Sequence, residues 1–475
     1  MKNKILASVL GIISLIASAF FSYNLISNKL LPSKYQIIIV AGLLLLTLIV
    51  VLLLSRKSIV AKTFGIILFS IIVATTITGT FYITKSMKAL EKVSNTESIK
   101  QTKVKLSLVK LKSSNLEELS KKDDLVTQVY EKESKTDINT FVDEIKGKIN
   151  KNLKITDVDS YMLAAKNLIS KKTDFIVLNE AYRSVIKDFI PEFDELTEVV
   201  DDKEFTRINK LSNQAEDKAS FNLYISGIDT YGPIETVSRS DVNLIVSVNQ
   251  KTRKILITTV PRDTYVPIAG GGNNQKDKLT HAGIYGIDSS IKTLENFLDT
   301  KLDYYAKVNF NTLIEVVDVL DGVDVDNVQT FNAGGYNFPE GNVHLDGKKA
   351  LVFSRERHHL ADGDHDRGRN QERVLKAIIE KASRPESLLK TSQILAIAEK
   401  SAQTNMSKDF MVQMINKEID APNRYKIESQ DLKGTGKMGL PSYAMPGYRL
   451  YMMVADDSSL NEVKERINNN LSETK

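Results

Sequence analysis

The chain has 475 residues, of which 42% are hydrophobic and 26% are charged, and its formal net charge at pH 7 is +5. A chain of this length accommodates about two or three domains, and so small a net charge does not by itself indicate a polyanionic partner. Cysteine is absent, which excludes disulfides, thiolate catalysis and zinc–sulfur sites.

The N-terminal segment predicts a membrane anchor. Three apolar stretches, Ile5–Ile26, Tyr35–Leu54 and Thr63–Ile83, each come close to the ~20 residues that a helix needs to span a bilayer. Ala17–Ala19 could instead mark a signal-peptide cleavage site. Two further stretches follow it, so the chain stays anchored under either interpretation.

Basic residues around these stretches indicate the orientation. Lys2, Lys4, Arg56, Lys57 and Lys62 fit the cytoplasmic side, because cytoplasmic loops are enriched in Lys and Arg. Three spans with the N-terminus inside put everything after about residue 85 outside the cell. We therefore expect a multi-pass membrane protein with a large extracellular C-terminal region.

A linker and a small accessory domain are expected next. Thr84–Lys100 is polar and lacks an apolar period, whereas Lys103–Leu111 and Asp174–Leu178 have strand patterns and Asn179–Phe189 has the pattern of an amphipathic helix. No catalytic constellation appears here, which favours a structural or interaction module. The predicted organisation is a membrane anchor at 1–85, a linker with accessory domain at 86–217, and an α/β domain at 218–475.

From Ala219 onward, strand patterns alternate with helix patterns, which is typical of an α/β layer fold. Phe221–Asp229, Asp241–Asn249 and Lys254–Asp263 are rich in strand formers, and a hairpin-like turn joins the last two. Apolar residues at helical spacing predict helices around 287–298 and 310–320. The predicted fold class is α/β, with a central sheet flanked by helices.

Charged residues stand at the ends of these strands, where α/β folds build their sites. Asp229 ends the first strand, Arg239 and Asp241 flank the start of the second, and Arg262 and Asp263 end the third. One such residue alone would be explained as a solvated turn former. Five at successive strand ends favour a functional site.

A second group of charges lies in SRERHHLADGDHDRGRNQERVLKAI, which is Ser354–Ile378. Arg355 and Arg357 lie two apart on a predicted strand and share a face, and Arg369 and Arg373 lie four apart on a predicted helix and also share a face. Guanidinium groups match phosphate oxygens bidentately. The segment therefore favours a phosphate or diphosphate ligand over the alternative, a solvated network of salt bridges.

Such an anion site also calls for a metal and a proton acceptor. Asp229 and Asp241 are the candidate ligands for Mg²⁺, which prefers one or two carboxylates together with water and substrate phosphates. Asp366, near the arginines, could accept a proton from an attacking hydroxyl.

Other kinds of site are disfavoured. Asp362, Asp364 and Asp366 begin like an EF-hand loop, but glycine is missing at the sixth position and Arg373 stands at the twelfth. GGGNNQK has the wrong spacing for a phosphate-binding P-loop, and no G-x-S-x-G motif of a serine hydrolase is present. Acidic residues interleave with the basic ones, so a nucleic-acid partner is not expected.

Six motifs between Ala219 and Ala382 resemble the LytR–CpsA–Psr family, and more closely its capsule-locus members. They are GID, SRSDVNLIVSVN, TTVPRDTYV, KLTHAGIYG, LDGKKALVFSRER and DRGRNQERVL. The anchor and accessory region also resemble the capsule-type architecture, so the resemblance covers nearly the whole chain.

The resemblance implies an Mg²⁺-dependent phosphotransferase that moves a glycopolymer, here capsular polysaccharide, from undecaprenyl pyrophosphate to peptidoglycan, with pyrophosphatase activity on polyprenyl pyrophosphates. It implies Asp229 and Asp241 as metal ligands. The implied catalytic residues are Arg262, Arg357, Asp366 and Arg369. The implied pyrophosphate-binding residues are Arg239, Arg262, Arg355, Arg357, Arg367, Arg369, Gln371 and Lys278. The family's prenyl tunnel suggests Leu244, Val246, Val317 and Leu320 as lining residues, for which ordinary core positions are the alternative.

Two other functions stay open from the sequence. The chain could be a regulatory or scaffolding protein of capsule assembly that uses Gln101–Asp217 to contact partner proteins, without transfer activity of its own. It could also be a transcriptional regulator, which an extracellular C-terminal domain would exclude.

Overall fold

A computed structural model describes residues 2–94, 101–115, 124–149, 152–208, 218–228, 234, 236–382, 384–421 and 423–474 of the chain. These residues form an N-terminal helical bundle, a small sheet domain and a larger α/β region.

Three apolar helices form the bundle, as predicted. They are α1 (Lys2–Ser27), α2 (Ser33–Ser55) and α3 (Ile59–Val93), and each is long and apolar enough to cross a membrane. The hydroxyls of Ser14 and Thr47 lie 3.0 Å apart in the bundle. This pairing joins α1 to α2, since a buried hydroxyl between apolar helices needs a partner.

Helix α3 continues well past the predicted span. Met87 and Leu90 are buried three residues apart and pack against Val412 of a later helix. The linker predicted from Thr84 is therefore wrong as far as Val93, because lysines between these apolar residues obscured the helical period. The rest of the predicted linker, at 95–100, lies outside the described residues.

The accessory domain is a five-stranded sheet with helices. Its elements are β1 (Gln101–Leu111), β2 (Asp124–Val129), α4 (Glu131–Ile149), β3 (Asn152–Asp157), α5 (Tyr161–Ile169), β4 (Phe175–Asn179), α6 (Arg183–Lys187), α7 (Phe193–Leu196) and β5 (Thr197–Ile208). The strand order is β3-β2-β4-β1-β5, and β1 runs antiparallel to both of its neighbours. Both predicted strands are confirmed, while the helix predicted at Asn179–Phe189 is a 3₁₀ turn followed by α6.

The remaining described residues fold as an α/β region. Its first elements are β6 (Ser220–Ile228), β7 (Val242–Asn249), β8 (Lys254–Thr259), β9 (Tyr265–Pro267), β10 (Lys276–Lys278), α8 (Leu279–Ala282), α9 (Ile287–Leu298), β11 (Tyr304–Asn309), α10 (Phe310–Val319), β12 (Val323–Asn327), β13 (Phe331–Ala333), β14 (Tyr336–Phe338) and β15 (Gly341–Leu345). They are followed by α11 (Gly347–Arg355), α12 (Gly363–Ala382), α13 (Thr391–Ser401), β16 (Ala402–Thr404), α14 (Lys408–Ile419), β17 (Lys426–Asp431), β18 (Gly434–Met438), β19 (Tyr451–Ala455) and α15 (Asp457–Ser472).

A six-stranded sheet, in the order β16-β11-β6-β7-β8-β17, forms the centre of this region. Helices α9 and α15 pack on the face that carries Tyr224 and Ile245. Helices α12 and α14 pack on the opposite face, which carries Val246 and Val248. Successive strand residues point to opposite faces of a sheet. Since helices cover both faces, β7 is buried along its whole length. The predicted sheet flanked by helices is thus confirmed.

The strand predicted for Arg355 and Arg357 is wrong. Ala350 and Phe353 are buried three residues apart, and the side chain of Asp346 caps the N-terminus of α11. The buried residues at helical spacing and the capping side chain therefore favour a helix over a strand here. Arg355 is the last residue of α11, and Arg357 lies in the irregular segment before α12.

The α/β region also contacts the anchor. The Lys34 ammonium lies 2.7 Å from the Asp420 carboxylate, and Nδ2 of Asn416 donates a hydrogen bond to the carbonyl of Lys29 at 2.6 Å. The junction of α1 and α2, from Lys29 to Lys34, and the end of α3 thus both contact the α14 region. They lie at the same end of the bundle.

Candidate anion-binding site

Asp241 and Arg262 lie side by side at one end of the central sheet. Strands β7 and β8 are antiparallel, with Leu244 paired to Thr259, and continuing that register outward puts Asp241 opposite Arg262. Nη1 of Arg262 donates a hydrogen bond to Oδ1 of Asp241 at 2.7 Å, and the two side chains are only 12% and 17% exposed. The hairpin predicted from the sequence therefore creates the first contact of the site.

Helix α12 brings Arg367 to the same place. Gly368 lies against Thr259 at the end of β8, and a Cβ atom on Gly368 would lie 3.1 Å from the Thr259 methyl group. The missing side chain lets the helix approach the strand closely. Arg367 itself is buried.

The charges around Asp241 keep it ionised. Burial raises the pKa of Asp241, but the guanidinium groups of Arg239, Arg262 and Arg367 outweigh burial and hold that pKa well below its usual range. Three cations thus act on one carboxylate. We name Arg239, Asp241, Arg262 and Arg367 the arginine cluster.

Arg239 is held by a residue of the accessory domain. Its Nη1 donates a hydrogen bond to Oδ2 of Asp188 at 2.5 Å, and its side chain is 11% exposed. Its Nε is buried and has no hydrogen-bond acceptor among the described residues. Among the described residues, this Nε is the part of the Arg239 guanidinium whose hydrogen-bonding capacity is not satisfied.

Gly283 allows a close approach to the backbone that carries Arg239 and Asp241. A Cβ atom on Gly283 would lie 2.5 Å from the Ser238 carbonyl oxygen and 2.7 Å from the Ser240 nitrogen. Glycine is needed at this contact because a side chain would collide with backbone atoms.

Lys278 extends the positive charge beyond Arg262. Its ammonium lies 2.5 Å from Oδ1 of Asp263, and Nε of Arg262 lies 3.7 Å from the other oxygen of the same carboxylate. Asp263 is buried and lies between the two cations. The supporting role predicted for Lys278 stays a prediction, with its side chain next to the cluster.

Arg369 faces a different direction from Arg367, because residues two apart on a helix differ by about 200°. Its guanidinium contacts Oδ1 of Asp366 at 2.5 Å and lies 3.2 Å from the carboxylates of both Asp431 and Asp362. Three carboxylates therefore neutralise Arg369. Its predicted role as a pyrophosphate ligand stays a prediction that would require it to leave some of these partners.

Asp366 is tightly hydrogen-bonded. Arg369 donates twice to Oδ1, while Gln329 and the backbone N–H of Asp362 donate to Oδ2, both at 2.8 Å. Burial raises the pKa of Asp366, but these hydrogen bonds outweigh it and lower the pKa. This geometry suits a carboxylate that positions Arg369. Its predicted role as proton acceptor remains untested.

Arg355 and Arg357 are both exposed beside α12. Oε1 of Glu356 accepts three successive backbone N–H groups, from Arg357 to His359, and so holds this turn. The side chain of Gln371, whose role as a pyrophosphate ligand stays a prediction, donates a hydrogen bond to the Ser354 carbonyl at 3.3 Å. It thereby connects α12 to the end of α11, next to Arg355.

Asp241 fits one ligand position of a magnesium site. It is ionised and partly accessible, although Oδ1 already accepts from Arg262. The second predicted ligand, Asp229, lies outside the described residues. Within the described ranges, no group of three or more His, Asp or Glu side chains is placed to hold a metal. A cation here would need a diphosphate to offset the arginines, as Mg²⁺ bound with substrate phosphates does.

The four suggested tunnel residues are buried in separate clusters. Leu244 packs with Leu351 and Leu375, Val246 belongs to the core beneath α12 and α14, and Val317 and Leu320 belong to a third core around α10 to α12. Each is buried among other apolar side chains, and the suggestion that they line a prenyl tunnel stays a prediction.

Sequence patterns missed Asp188 and Gly283. Asp188 is distant in sequence from Arg239, so no local spacing could reveal the contact. Gly283 has ordinary helical angles, with φ −60° and ψ −26°, so no turn signal marks it. The KLTHAGIYG motif that contains Gly283 was the one available hint.

Comparison with known proteins gives a consistent match. Residues 185–468 match the model of the LytR_cpsA_psr family, which is well over half of the chain. The polyisoprenyl-teichoic acid–peptidoglycan teichoic acid transferase TagU of Bacillus licheniformis is 32% identical over 253 residues, which cover 53% of this chain and 78% of that protein.

Two further relatives give similar matches. TagU of Bacillus mycoides is 37% identical over 194 residues, covering 41% of this chain and 62% of that protein. The crystal structure of B. subtilis TagU is 30% identical and covers 54% of this chain and 99% of that chain, with a TM-score of 0.42. In each case about half of this chain is aligned.

Proposed function

This chain belongs to the LytR–CpsA–Psr family, and we propose that it is a membrane-anchored transferase that moves a polyisoprenyl-linked glycopolymer to peptidoglycan. The finer proposal is that the polymer is capsular polysaccharide on undecaprenyl pyrophosphate. The relatives' names specify teichoic acid as their polymer.

The observation that carries the proposal is the arginine cluster. Arg239, Arg262 and Arg367 come from three different segments and act together on Asp241. Like charges gather in this way where an anion is to be bound, since each guanidinium repels the others without one. A diphosphate offers oxygens to several guanidinium groups at once.

The proposed reaction is a phosphoryl transfer. An acceptor hydroxyl oxygen attacks the phosphorus that carries the polymer, and a new P–O bond forms. The bond from that phosphorus to the bridging oxygen breaks, and polyprenyl monophosphate leaves. The hydroxyl proton passes to a base, for which Asp366 is the predicted residue. With water as the acceptor, the same step is the proposed pyrophosphatase side reaction.

The cluster would act mainly by electrostatics. Negative charge develops on the bridging oxygen as it leaves, and guanidinium groups already in place stabilise it without reorganisation. Mg²⁺ held by Asp241 and Asp229 together with substrate phosphates would neutralise further charge on the leaving group. Lys278 and Arg357 would add donors at the edges of the site.

The membrane contacts support an extracellular position. The end of α3 and the segment between α1 and α2 both contact the α14 region. With an N-terminus inside the cell, both of these segments emerge on the outer side. The α/β region would then lie at the outer membrane surface, where a lipid-linked donor and peptidoglycan can meet.

The test is transfer by the purified full chain in lipid nanodiscs, with a polyprenyl-pyrophosphate-linked oligosaccharide, peptidoglycan fragments and Mg²⁺. We expect polymer attached to peptidoglycan, and a loss of about 10²- to 10³-fold in Arg262→Ala, the size seen when one charge-stabilising donor is removed. Arg466→Ala is the matched control, because among the described residues its ion pair is a 3.4 Å contact with Glu428.

A chain that transfers no polymer, with Mg²⁺ present and the fold intact, would support the scaffolding alternative. Full activity in Arg262→Ala would contradict the assignment of the site.

A further inference from the structure

The accessory domain reaches into the site through one residue. Asp188 follows α6, and its carboxylate accepts the hydrogen bond from Arg239 described above. Among the described contacts of the arginine cluster, Asp188 is the residue that the accessory domain provides. The adjacent Phe189 ring packs edge-on against Tyr448 of the α/β region, with ring centroids 5.2 Å apart.

The accessory domain and the α/β region share a hydrophobic core next to this contact. Val237 and Ile284 of the α/β region are buried in the hydrophobic core of the accessory domain, with Met445 and Met452. The backbone N–H of Val237 donates to the carbonyl of Lys103 in β1 at 3.3 Å. Since Val237 is two residues from Arg239, the accessory domain fixes the segment that carries this arginine.

We propose that Asp188 is a positioning residue of the anion site, which serves as the counter-ion of Arg239 until a diphosphate displaces it and thereby sets the affinity for that anion. This inference rests on the proposed function. It gives the accessory domain a direct part in substrate binding.

The exposure of the two carboxylates explains why Asp188 is the one displaced. Asp241 is 17% exposed and is held by Arg262, whereas the Asp188 side chain is 48% exposed. Water and salt reach the half-exposed carboxylate of Asp188 and screen its attraction to Arg239. The Arg239 guanidinium can therefore exchange a half-exposed carboxylate for a doubly charged ligand.

The charge balance gives the direction of the effect. In the cluster and its neighbours, Arg239, Arg262, Arg367 and Lys278 are cations, and Asp188, Asp241 and Asp263 are anions, which leaves one net positive charge among these described groups. Removing the negative charge of Asp188 raises the net charge of these groups to +2. A negative ligand should then bind more tightly, by about three- to ten-fold for a screened charge at this range.

The test uses the full chain in nanodiscs and calorimetric binding of inorganic pyrophosphate with Mg²⁺. We expect Asp188→Asn to bind three- to ten-fold more tightly than wild type, by the screening argument above, and Asp188→Glu to restore wild-type affinity. Asp201→Asn is the matched control, because it removes one accessory-domain charge that pairs with Lys148. It should leave the affinity unchanged.

A double variant decides whether Arg239 transmits the effect. In an Arg239→Gln background, Asp188→Asn still adds one positive charge but frees no arginine, so it should tighten binding by clearly less than it does in the wild-type background. In the transfer assay, Asp188→Asn should lower KM while kcat stays the same, whereas a merely structural role would lower kcat and thermal stability instead.

The outcomes separate the two proposals. If wild type binds pyrophosphate and Asp188→Asn binds it equally or more weakly, the role of Asp188 is refuted and the proposed function stands. The role of Asp188 also fails if the tightening is equally large in the Arg239→Gln background. If wild type binds no pyrophosphate, the proposed function falls, and this inference falls with it.

Discussion

Gly283 offers a direct test of how precisely the arginine cluster must be placed. A Cβ atom here would lie 2.5 Å from the Ser238 oxygen, 2.7 Å from the Ser240 nitrogen and 3.1 Å from the Arg239 carbonyl carbon. All three are backbone atoms, so they cannot move aside as a side chain would. The backbone angles of Gly283 suit alanine, and the whole effect of Gly283→Ala must come from this collision.

The size of the effect follows from the distances. Ordinary van der Waals contact begins at 3.4 Å, so the two segments must separate by roughly 1 Å. A displacement of about 1 Å at a positioned group lowers the rate by about 10²-fold. Overpacking of this kind also costs about 1–3 kcal/mol in the free energy of unfolding. We therefore expect a folded protein with slightly lower Tm and about 10²-fold lower kcat/KM.

The assay is polymer transfer in nanodiscs alongside thermal unfolding, with two control variants. Gly147→Ala places a methyl group in open space on α4 and should keep full activity. Gly368→Ala meets only the Thr259 methyl at 3.1 Å, which a side chain can relieve, so its loss should be smaller. A folded Gly283→Ala protein with wild-type activity would refute the reasoning.

Two further predictions concern stability and membrane docking. Burial raises the pKa of Glu372 despite hydrogen bonds from Ser429 and Thr259, so its ionised form destabilises the fold, and this cost is absent at low pH and develops as pH rises through the raised pKa. Glu372→Gln should therefore increase the urea midpoint at pH 8 but not at pH 4. Leu90→Lys puts a charge into the contact between α3 and Val412, so hydrogen exchange of α14 should quicken while the central sheet stays protected.

Each of these two variants has a matched control. Glu386→Gln changes the same functional group in the 3₁₀ turn 385–390 and should show no comparable gain at pH 8. A gain for Glu372→Gln that is equal at both pH values would contradict the assigned ionisation. Lys88→Ala alters an exposed neighbour of Leu90 on α3, and faster exchange in that variant would mean that α3 is generally sensitive to substitution.

Local patterns predicted the parts of the site that depend on neighbouring strands. The β7–β8 hairpin was evident from the sequence, and its register alone puts Asp241 opposite Arg262. The three apolar helices followed from length and composition. In both cases the decisive interactions lie within one element or between consecutive ones.

Predictions failed where a local pattern competed with tertiary packing. The alternation around Arg355 suggested a strand, but burial of Ala350 and Phe353 on one side imposed a helix. Helical spacing put Arg369 and Arg373 on one face, and the role of Arg369 as an anion ligand stays a prediction, but spacing gave no sign that Asp431 contacts Arg369 from β17. No short-range pattern contains that contact, because it depends on how β17 joins the sheet beside β8.

The most direct measurement of the central claim follows the two phosphorus atoms of the donor. A polyprenyl-pyrophosphate-linked oligosaccharide carrying ³²P only at the polymer-side phosphorus is incubated with the full chain in nanodiscs, peptidoglycan fragments and Mg²⁺. If the arginine cluster promotes phosphoryl transfer, the label moves to peptidoglycan with the polymer, and Arg262→Ala loses most of this transfer. If polymer reaches peptidoglycan while the label stays with the lipid, the broken bond is a different one, and the proposed mechanism is wrong.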